Sequence, residues 1–468
     1  MLDLAVTGGT VASAAATFRA DIGVRDGRVV VLAAPGSLTE DATRRLDATG
    51  RYVVPGGIDS HVHFNLGVTE AMRAQSAIDG SRAAAHGGTT TFIDFGFQTG
   101  AGSPVEAATG KIKELGDQQP HVDYALHLML TRDVSDSAMA ELPEVVSGGI
   151  ASFKMFTTFA EGSASGNLLS DDGVIWGVMN AAERAGGMVM VHAEDDCIIN
   201  FNTRRLYAEG RQAGRNIHLA RPPLAEEAAI RRMILLAERS GCPLYVVHVS
   251  SAAGVAAIGE ARARRVPVFG EVLHNYLAFT SDDYAKPDGT LYHNYPPLKS
   301  PLDQDALWSA LTLGDLDTVA SDDFTIPRAS KLSGQVVGNV PGGHNGIETR
   351  MDVLFSEGVM RKRLTIEQFV KVTAEAPARL FGLFPRKGVI AVGSDADLVL
   401  LDPDARHTIR LEELHSHCDY SLWDGWSLTG KVTATVLRGQ VLVQDGAWVG
   451  PQHAGSFVPA GAVSEPAR

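Results

Sequence analysis

Between residues 58 and 380, short apolar runs alternate with stretches of helical period, and the alternation repeats eight times. The apolar runs fall at 58–63, 89–95, 122–130, 151–156, 188–194, 243–249, 266–273 and 317–323. Runs of this length, with few polar interruptions, suit strands covered on both faces. Helical periods occupy 71–86, 104–115, 136–146, 173–185, 225–239, 252–264 and 303–313, and a last helix is expected at 365–380. Strands that alternate with helices build parallel sheets. Eight repeats predict a closed (β/α)8 TIM barrel of the α/β class, with its chemistry at the C-terminal ends of the strands.

The flanks have another texture. Short strand candidates separated by turns occupy 2–6, 20–24, 28–32 and 51–54, and again 396–401, 407–410, 432–438 and 440–443. Neither set is large enough to bury a core alone, which predicts one β-sandwich completed by both ends of the chain. The expected division is 1–54 and 387–448 for the two sandwich halves, 55–386 for the barrel and 449–468 for a tail. That tail is rich in Gly, Ala and Pro, and is expected to stay poorly ordered unless it docks.

Composition excludes some partners. The net charge is −14, with the acidic residues spread along the chain, which argues against nucleic acid or an anionic membrane. No apolar run has membrane-spanning length, and the first residues lack the pattern of a secretory leader. Cys197, Cys242 and Cys418 are too few and too scattered for a disulfide framework. They read as small packed hydrophobes, and a cytoplasmic setting is expected.

His61 and His63 stand two residues apart at the end of the first apolar run, so both side chains leave an extended chain on one face. With 15 histidines in 468 residues, about one such pair arises by chance. Indeed His415-Ser416-His417 repeats the spacing in a polar stretch that reads as surface loop. The company of the first pair decides. The fourth run carries Lys154, the fifth ends at His192 and Glu194, the sixth at His248, and the eighth at Asp322 and Asp323. Taken singly, His192 or His248 could be a satisfied core histidine, and Asp322 a helix N-cap. Lys154 is harder to place blandly: a lysine in so apolar a run must be paired, neutral or modified. Imidazoles converging at strand ends suit zinc, which makes hydroxide available near neutral pH.

These motifs resemble the amidohydrolase superfamily, and within it the hydantoinase and dihydropyrimidinase group of cyclic amide hydrolases. The resemblance rests on Pro55-Gly56-Gly57-Ile58-Asp59-Ser60-His61-Val62-His63, Ser152-Phe153-Lys154, Val191-His192-Ala193-Glu194, Val247-His248-Val249-Ser250, Pro296-Pro297-Leu298-Lys299 and Ser321-Asp322. It is reinforced by Leu380-Phe381-Gly382-Leu383-Phe384-Pro385-Arg386-Lys387-Gly388 running into Gly393-Ser394-Asp395-Ala396-Asp397-Leu398. It implies two divalent ions, Zn2+ by preference, bridged by a carboxylated Lys154. His61, His63 and Asp322 would hold one ion, and His192 and His248 the other. A bridging hydroxide would open a small cyclic amide or imide, of hydantoin or dihydropyrimidine type, with Asp322 as the catalytic proton carrier. The resemblance also implies a homotetramer or homodimer, with the tail packed on a neighbour.

The chain departs from the family's pattern around the substrate. The usual tyrosine five residues after the bridging lysine is Phe159, the usual serine before Pro-Pro-Leu is Tyr295, and the usual asparagine of the later glycine-rich loop is Gly342. Asn345 in the same loop joins Phe64, Phe159, Tyr295 and Gly342 as a candidate substrate contact. Leu66, Phe97 and Phe156 are further candidates for an apolar wall. Thr157 and Thr158 could replace the missing hydroxyl, and Asp323 reads as a hydrogen-bond acceptor behind the site. The changed pocket leaves an allantoinase-like or cyclic-imide activity as an alternative, and a non-catalytic scaffold of the same fold as another. The intact ligand positions favour catalysis. A dihydroorotase fits less well, because Asn65 stands where that family holds a substrate carboxylate with arginine.

Overall fold

The structure, a computed structural model, describes residues 1–69, 72–160 and 166–461. Eight parallel strands form the central sheet, in chain order: β1 (Gly57–Asp59), β2 (Thr89–Phe97), β3 (Asp123–Met129), β4 (Ser152–Phe156), β5 (Met188–His192), β6 (Leu244–Val246), β7 (Val268–Leu273) and β8 (Thr318–Ala320). Closure between β8 and β1 comes just beyond the strands. There the Ser321 N–H donates to the Asp59 carboxylate (3.1 Å) and the His63 N–H to the Asp323 carbonyl (2.9 Å). Helices pack outside, among them Pro104–Gln118, Asp172–Ala185, Pro223–Ser240, Ala252–Ala263 and Pro301–Leu313. Ser103, Asp171, Ser251 and Ser300 each accept a backbone N–H at the start of four of these helices, the capping expected for such residues.

Two helices differ from the sequence expectation. The helix expected from residue 71 begins at Ala77, because Ser76 caps it; residue 71 itself lies outside the described residues, and Gly67–Thr69 pairs with Met72–Arg73 as a hairpin. The last helix widens to a π-turn over Lys371–Glu375 just before Pro377, whose ring nitrogen has no proton to donate.

Both ends of the chain build the second layer. One sheet holds Arg28–Ala33, Asp21–Arg25, Leu2–Thr7 and Ala42–Asp47. The other interleaves Tyr52–Pro55, Thr10–Ala12 and Thr17–Arg19 with Leu398–Thr408, Ser427–Leu437, Gln440–Gln444 and Ala447–Trp448. Leu4, Val6, Ile22, Val53, Leu398 and Val436 fill the space between them. Ala42–Asp47 was not expected as a strand. It is an edge strand of polar composition that pairs parallel with Leu2–Thr7.

The barrel's lower end is plugged by Ala378, Leu380, Phe381 and Leu383, with Val458 of the tail among them. The tail docks on its own barrel: the Tyr124 N–H donates to the Ser456 carbonyl (3.0 Å), and the Val458 N–H to the Tyr124 carbonyl (2.7 Å). The condition for an ordered tail, that it docks, is therefore met up to residue 461, and residues 462–468 lie outside the described residues. Of the cysteines, Cys242 is buried but Cys197 is exposed, so only the first is fully a packed hydrophobe. Among the described residues no helix is long and apolar enough to cross a membrane.

Candidate metal centre

Past Asp59 the chain stays extended, and the pairing of Val62 with Asp323 holds His61 and His63 facing the barrel mouth. Their ring centroids are 5.1 Å apart. Asp322 and His248 lie just beyond β8 and β6 at φ +51 and +42. These left-handed turns end both strands earlier than their apolar runs suggest, and few side chains are placed there without a reason. The turn at Asp322 brings its Oδ1 to 3.2 Å from His61 Nε2 and 3.1 Å from His63 Nε2. The ligand atoms of these three residues all lie within 4.8 Å of one another. The His248 ring sits 5.6 Å from that of His61 and 4.5 Å from that of His192.

Lys154 rises from β4 between Phe95 and Phe156, with Nζ 5.7 and 5.2 Å from the two ring centroids. It is 1% exposed, and among the described residues no ion pair neutralises it. Burial pushes its ammonium down to about 8, against a partial pull from Asp322 and Glu271.

Three acidic groups behind the site fix its geometry. Glu271, fully buried on β7, accepts from His61 Nδ1 (2.8 Å), the His248 N–H (3.1 Å), the Ser60 hydroxyl (3.0 Å) and the Tyr245 hydroxyl (2.9 Å). One carboxylate thus orients a histidine from each half of the centre. Glu194 takes His192 Nε2 (2.9 Å) and pairs with Arg221, which leaves His192 Nδ1 as its free ligand atom. Burial would raise the Glu194 carboxyl, but Arg221 outweighs it and the group falls to about 2. Asp323 accepts the N–H groups of Gly346 (2.8 Å) and Ile347 (3.1 Å), the backing role expected of it. Glu271, Arg221 and Asn294, whose amide donates to Asp322 Oδ2 (2.8 Å), were not singled out from the sequence.

The donor set fits a divalent cation. With its Nδ1 proton on the Glu271 carboxylate, His61 turns the Nε2 lone pair toward Asp322 Oδ1. These are two acceptors at 3.2 Å, and a cation is what draws such atoms together. Burial also holds His63 below its usual pKa, His192 near 4 and His248 far below, so the imidazoles are neutral and able to ligate at pH 7.

These groups open onto a cavity of about 450 Å³. Its wall includes Phe159, Tyr295 and Gly342, together with Leu66, Phe97 and Phe156. Two of the expected contacts are elsewhere. Phe64 is fully buried against Phe92 (ring centroids 5.0 Å apart) and Gly80 of the helix Ala77–His86, because the residue after His63 points to the opposite face of an extended chain. Asn345 is buried and is not on the wall. Nor are the threonines free. Thr157 donates to the carbonyls of His192 (3.0 Å) and Glu194 (2.9 Å), and Thr158 to Asp196 (3.0 Å). The pair at 415 and 417 plays no part in the site. His415 stacks on His86 and bonds Glu348, while His417 is exposed.

Comparison with known proteins agrees with this geometry. The model of the amidohydrolase family matches residues 52–442. The chain is 37% identical over 458 residues to the D-hydantoinase of Geobacillus stearothermophilus, covering 97% of this chain and 95% of that protein. It is 37% identical to the D-phenylhydantoinase of Escherichia coli K12, over 88% of each. The crystal structure of dihydropyrimidinase from Brevibacillus agri NCHU1002 superposes with a TM-score of 0.91 at 36% identity, over 99% of both chains.

Proposed function

The chain belongs to the amidohydrolase family, in its hydantoinase and dihydropyrimidinase branch, and on that premise we propose that it hydrolyses the ring amide of a small cyclic amide or imide. The observation that carries the reading is the convergence of His61, His63 and Asp322, facing Lys154, His192 and His248 across one apolar pocket. His61, His63 and Asp322 would hold one divalent ion, zinc by preference, and His192 and His248 a second, with a carboxylated Lys154 between them. A bicarbonate-derived carboxylate on Nζ accounts for a lysine kept unpaired and shifted toward its neutral, reactive form. When bound, the ions supply acidification of a water and polarisation of the substrate carbonyl.

The protein's own residues do the rest. Asp322 takes the proton of the attacking water as the C–O bond forms. It delivers that proton to the ring nitrogen as the C–N bond breaks, leaving a released amide N–H and an open-chain carboxylic acid whose own proton, the water's second, passes to solvent. Asn294 steadies the carboxylate for both transfers through Oδ2. Phe97, Phe156, Phe159 and Phe324 line the cavity and limit water around the reacting ring. Among the described residues no side-chain hydroxyl replaces the family's usual tyrosine at Phe159, which keeps an allantoinase-like or cyclic-imide activity as the alternative to a hydantoin or dihydropyrimidine substrate. A dimeric or tetrameric assembly and a cytoplasmic setting are carried over from the resemblance and the unpaired cysteines; light scattering reads the first.

The test is ring opening by the zinc-reconstituted protein with bicarbonate, beside Lys154→Ala. The panel is dihydrouracil, hydantoin, 5-substituted hydantoins, allantoin and succinimide. Lysine-dependent turnover of one class is expected. A protein that binds no metal and opens none of these rings would be a scaffold, and the proposal would fail.

A further inference from the structure

Tyr295, Phe159 and Gly342 line the pocket beside the metal centre, with Tyr295 packed against both of the others. The Tyr295 ring is confined on three sides. Phe159 meets it edge-on (centroids 5.2 Å apart, planes at 82°), as does His293 (4.4 Å, 83°), and the Arg221 guanidinium lies 4.4 Å from its centroid. Its hydroxyl donates to the Val340 carbonyl (2.7 Å), at the start of the loop that carries Gly342. A Cβ on Gly342 would stand 2.6 Å from Tyr295 Cδ2 and 3.1 Å from Cε2. A ring so boxed in has nowhere to yield. Gly342 is not among the glycines at positive φ, so the backbone does not demand glycine there. The demand comes from the neighbouring ring.

We infer that Tyr295 and Gly342 are one specificity-determining pair: glycine leaves the room, the phenol fills it, and the wall they make offers the substrate no side-chain hydrogen bond. Tyr295 spends its hydroxyl on Val340, Phe159 has none, and Gly342 has no side chain. The wall therefore selects by shape and by contact with an aromatic face. It suits a neutral, flat ring with an apolar substituent, its polar edges left to the main chain and to the metal side. Arg221 beneath the wall is already paired with Glu194, so it does not make the wall a carboxylate site. The inference rests on the ring-opening activity proposed above.

Two measurements on the zinc-loaded protein test it. In kinetics on the ring that the wild type opens best, Tyr295→Ser is expected to raise KM about tenfold or more, with a smaller change in kcat, and to shift preference toward bulkier rings. Tyr295→Phe keeps the wall and is expected to raise KM far less. An unchanged KM in Tyr295→Ser would overturn the inference. So would a hundredfold fall of kcat in Tyr295→Phe at constant KM, since the hydroxyl would then serve the reacting atoms. The second measurement needs no substrate. Gly342→Ala is expected to lower Tm by about 2 °C or more beside Tyr295, and by much less in a Tyr295→Ala background. Equal losses in both backgrounds would show that the two positions are not coupled. If no ring is opened by the wild type, the functional reading fails, while the melting cycle still decides the pair.

Discussion

Two of the buried lysines, one toward each end of the barrel, are held in opposite ways. Lys387, at the lower end, lies 2.6 Å from Asp123, 3.1 Å from Asp395 and 2.6 Å from Asp397, and its ammonium is held well above its usual pKa: burial opposes this, but the three carboxylates outweigh it. Lys154, at the upper end, sits between phenyl rings and is pushed down to about 8. Both are 2% exposed or less, so burial does not distinguish them. The difference lies in the counter-charge. The lower end supplies carboxylates from β3 and from the segment entering the sandwich, and so ties the two layers together. The upper end keeps Lys154 unneutralised among candidate ligand atoms. A buried charge fully met is structural; one left unmet on a cavity is available for chemistry.

The largest effect that could break this contrast is on activity. Lys154→Met is expected to lower ring-opening turnover on the order of a thousandfold or more, about 4 kcal/mol of barrier. Its melting temperature should stay near or above that of the metal-free wild type, because no ion pair is broken. A variant that unfolds instead would make Lys154 a second Lys387. The mirror experiment is Lys387→Met, which strands Asp397 and leaves Asp123 and Asp395 to be met by Arg438 and Arg386. It is expected to cost about 3–5 kcal/mol in denaturant unfolding, with turnover per folded molecule little changed. A loss of turnover without a loss of stability would join the lower end to the chemistry. A smaller effect is expected from Glu271→Gln, which keeps the shape of the hub and removes its charge. Zinc affinity, read by competition with a chelator, should fall about 10–100-fold, with less change in turnover once the site is saturated.

The upper half of this contrast was legible in the sequence, the part of Lys387 was not, and the failures have physical causes. Lys154 could be recognised because a charge in an apolar strand always needs an explanation. Glu271, alone among apolar residues in Val268–Leu273, carried the same signal, but it announces a supporting carboxylate as readily as a ligand. Phe64 was misplaced although period two sends the neighbour of His63 outward into the helix layer. His248 and Asp322 could be singled out as candidates, but the left-handed turns that aim them are backbone events with no residue preference strong enough to reveal them. Ala42–Asp47 escaped because an edge strand can be polar on its open side. The docking of the tail rests in part on main-chain groups of Tyr124, Gly149 and Gly382, which leave no pattern in the side chains.

Acid should separate the two ends further, with the smallest effect of the set. Near the lower end His86 stacks on His415, and burial, with help from His415, lowers it to about 3. His121 accepts the His453 N–H on Nδ1 (3.1 Å), so it anchors the tail only while that nitrogen is unprotonated; burial lowers it to about 4. Both folded values lie below the unfolded value of about 6.5. Between these limits the unfolded chain binds more protons, so stability rises with pH. Conversely, stability is full above about pH 6.5, falls as the solution is acidified, and levels off below the folded values. Each histidine contributes at most about 1.4 kcal/mol per pH unit, and His86 less because it keeps some contact with solvent. In the zinc-loaded protein, His86→Phe with His121→Phe is expected to flatten the fall of Tm between pH 6.5 and pH 4, about the span of these shifts. An unchanged slope would mean that the acid sensitivity lies with the histidines of the upper end, and that the lower end is held by its carboxylates and Lys387 alone.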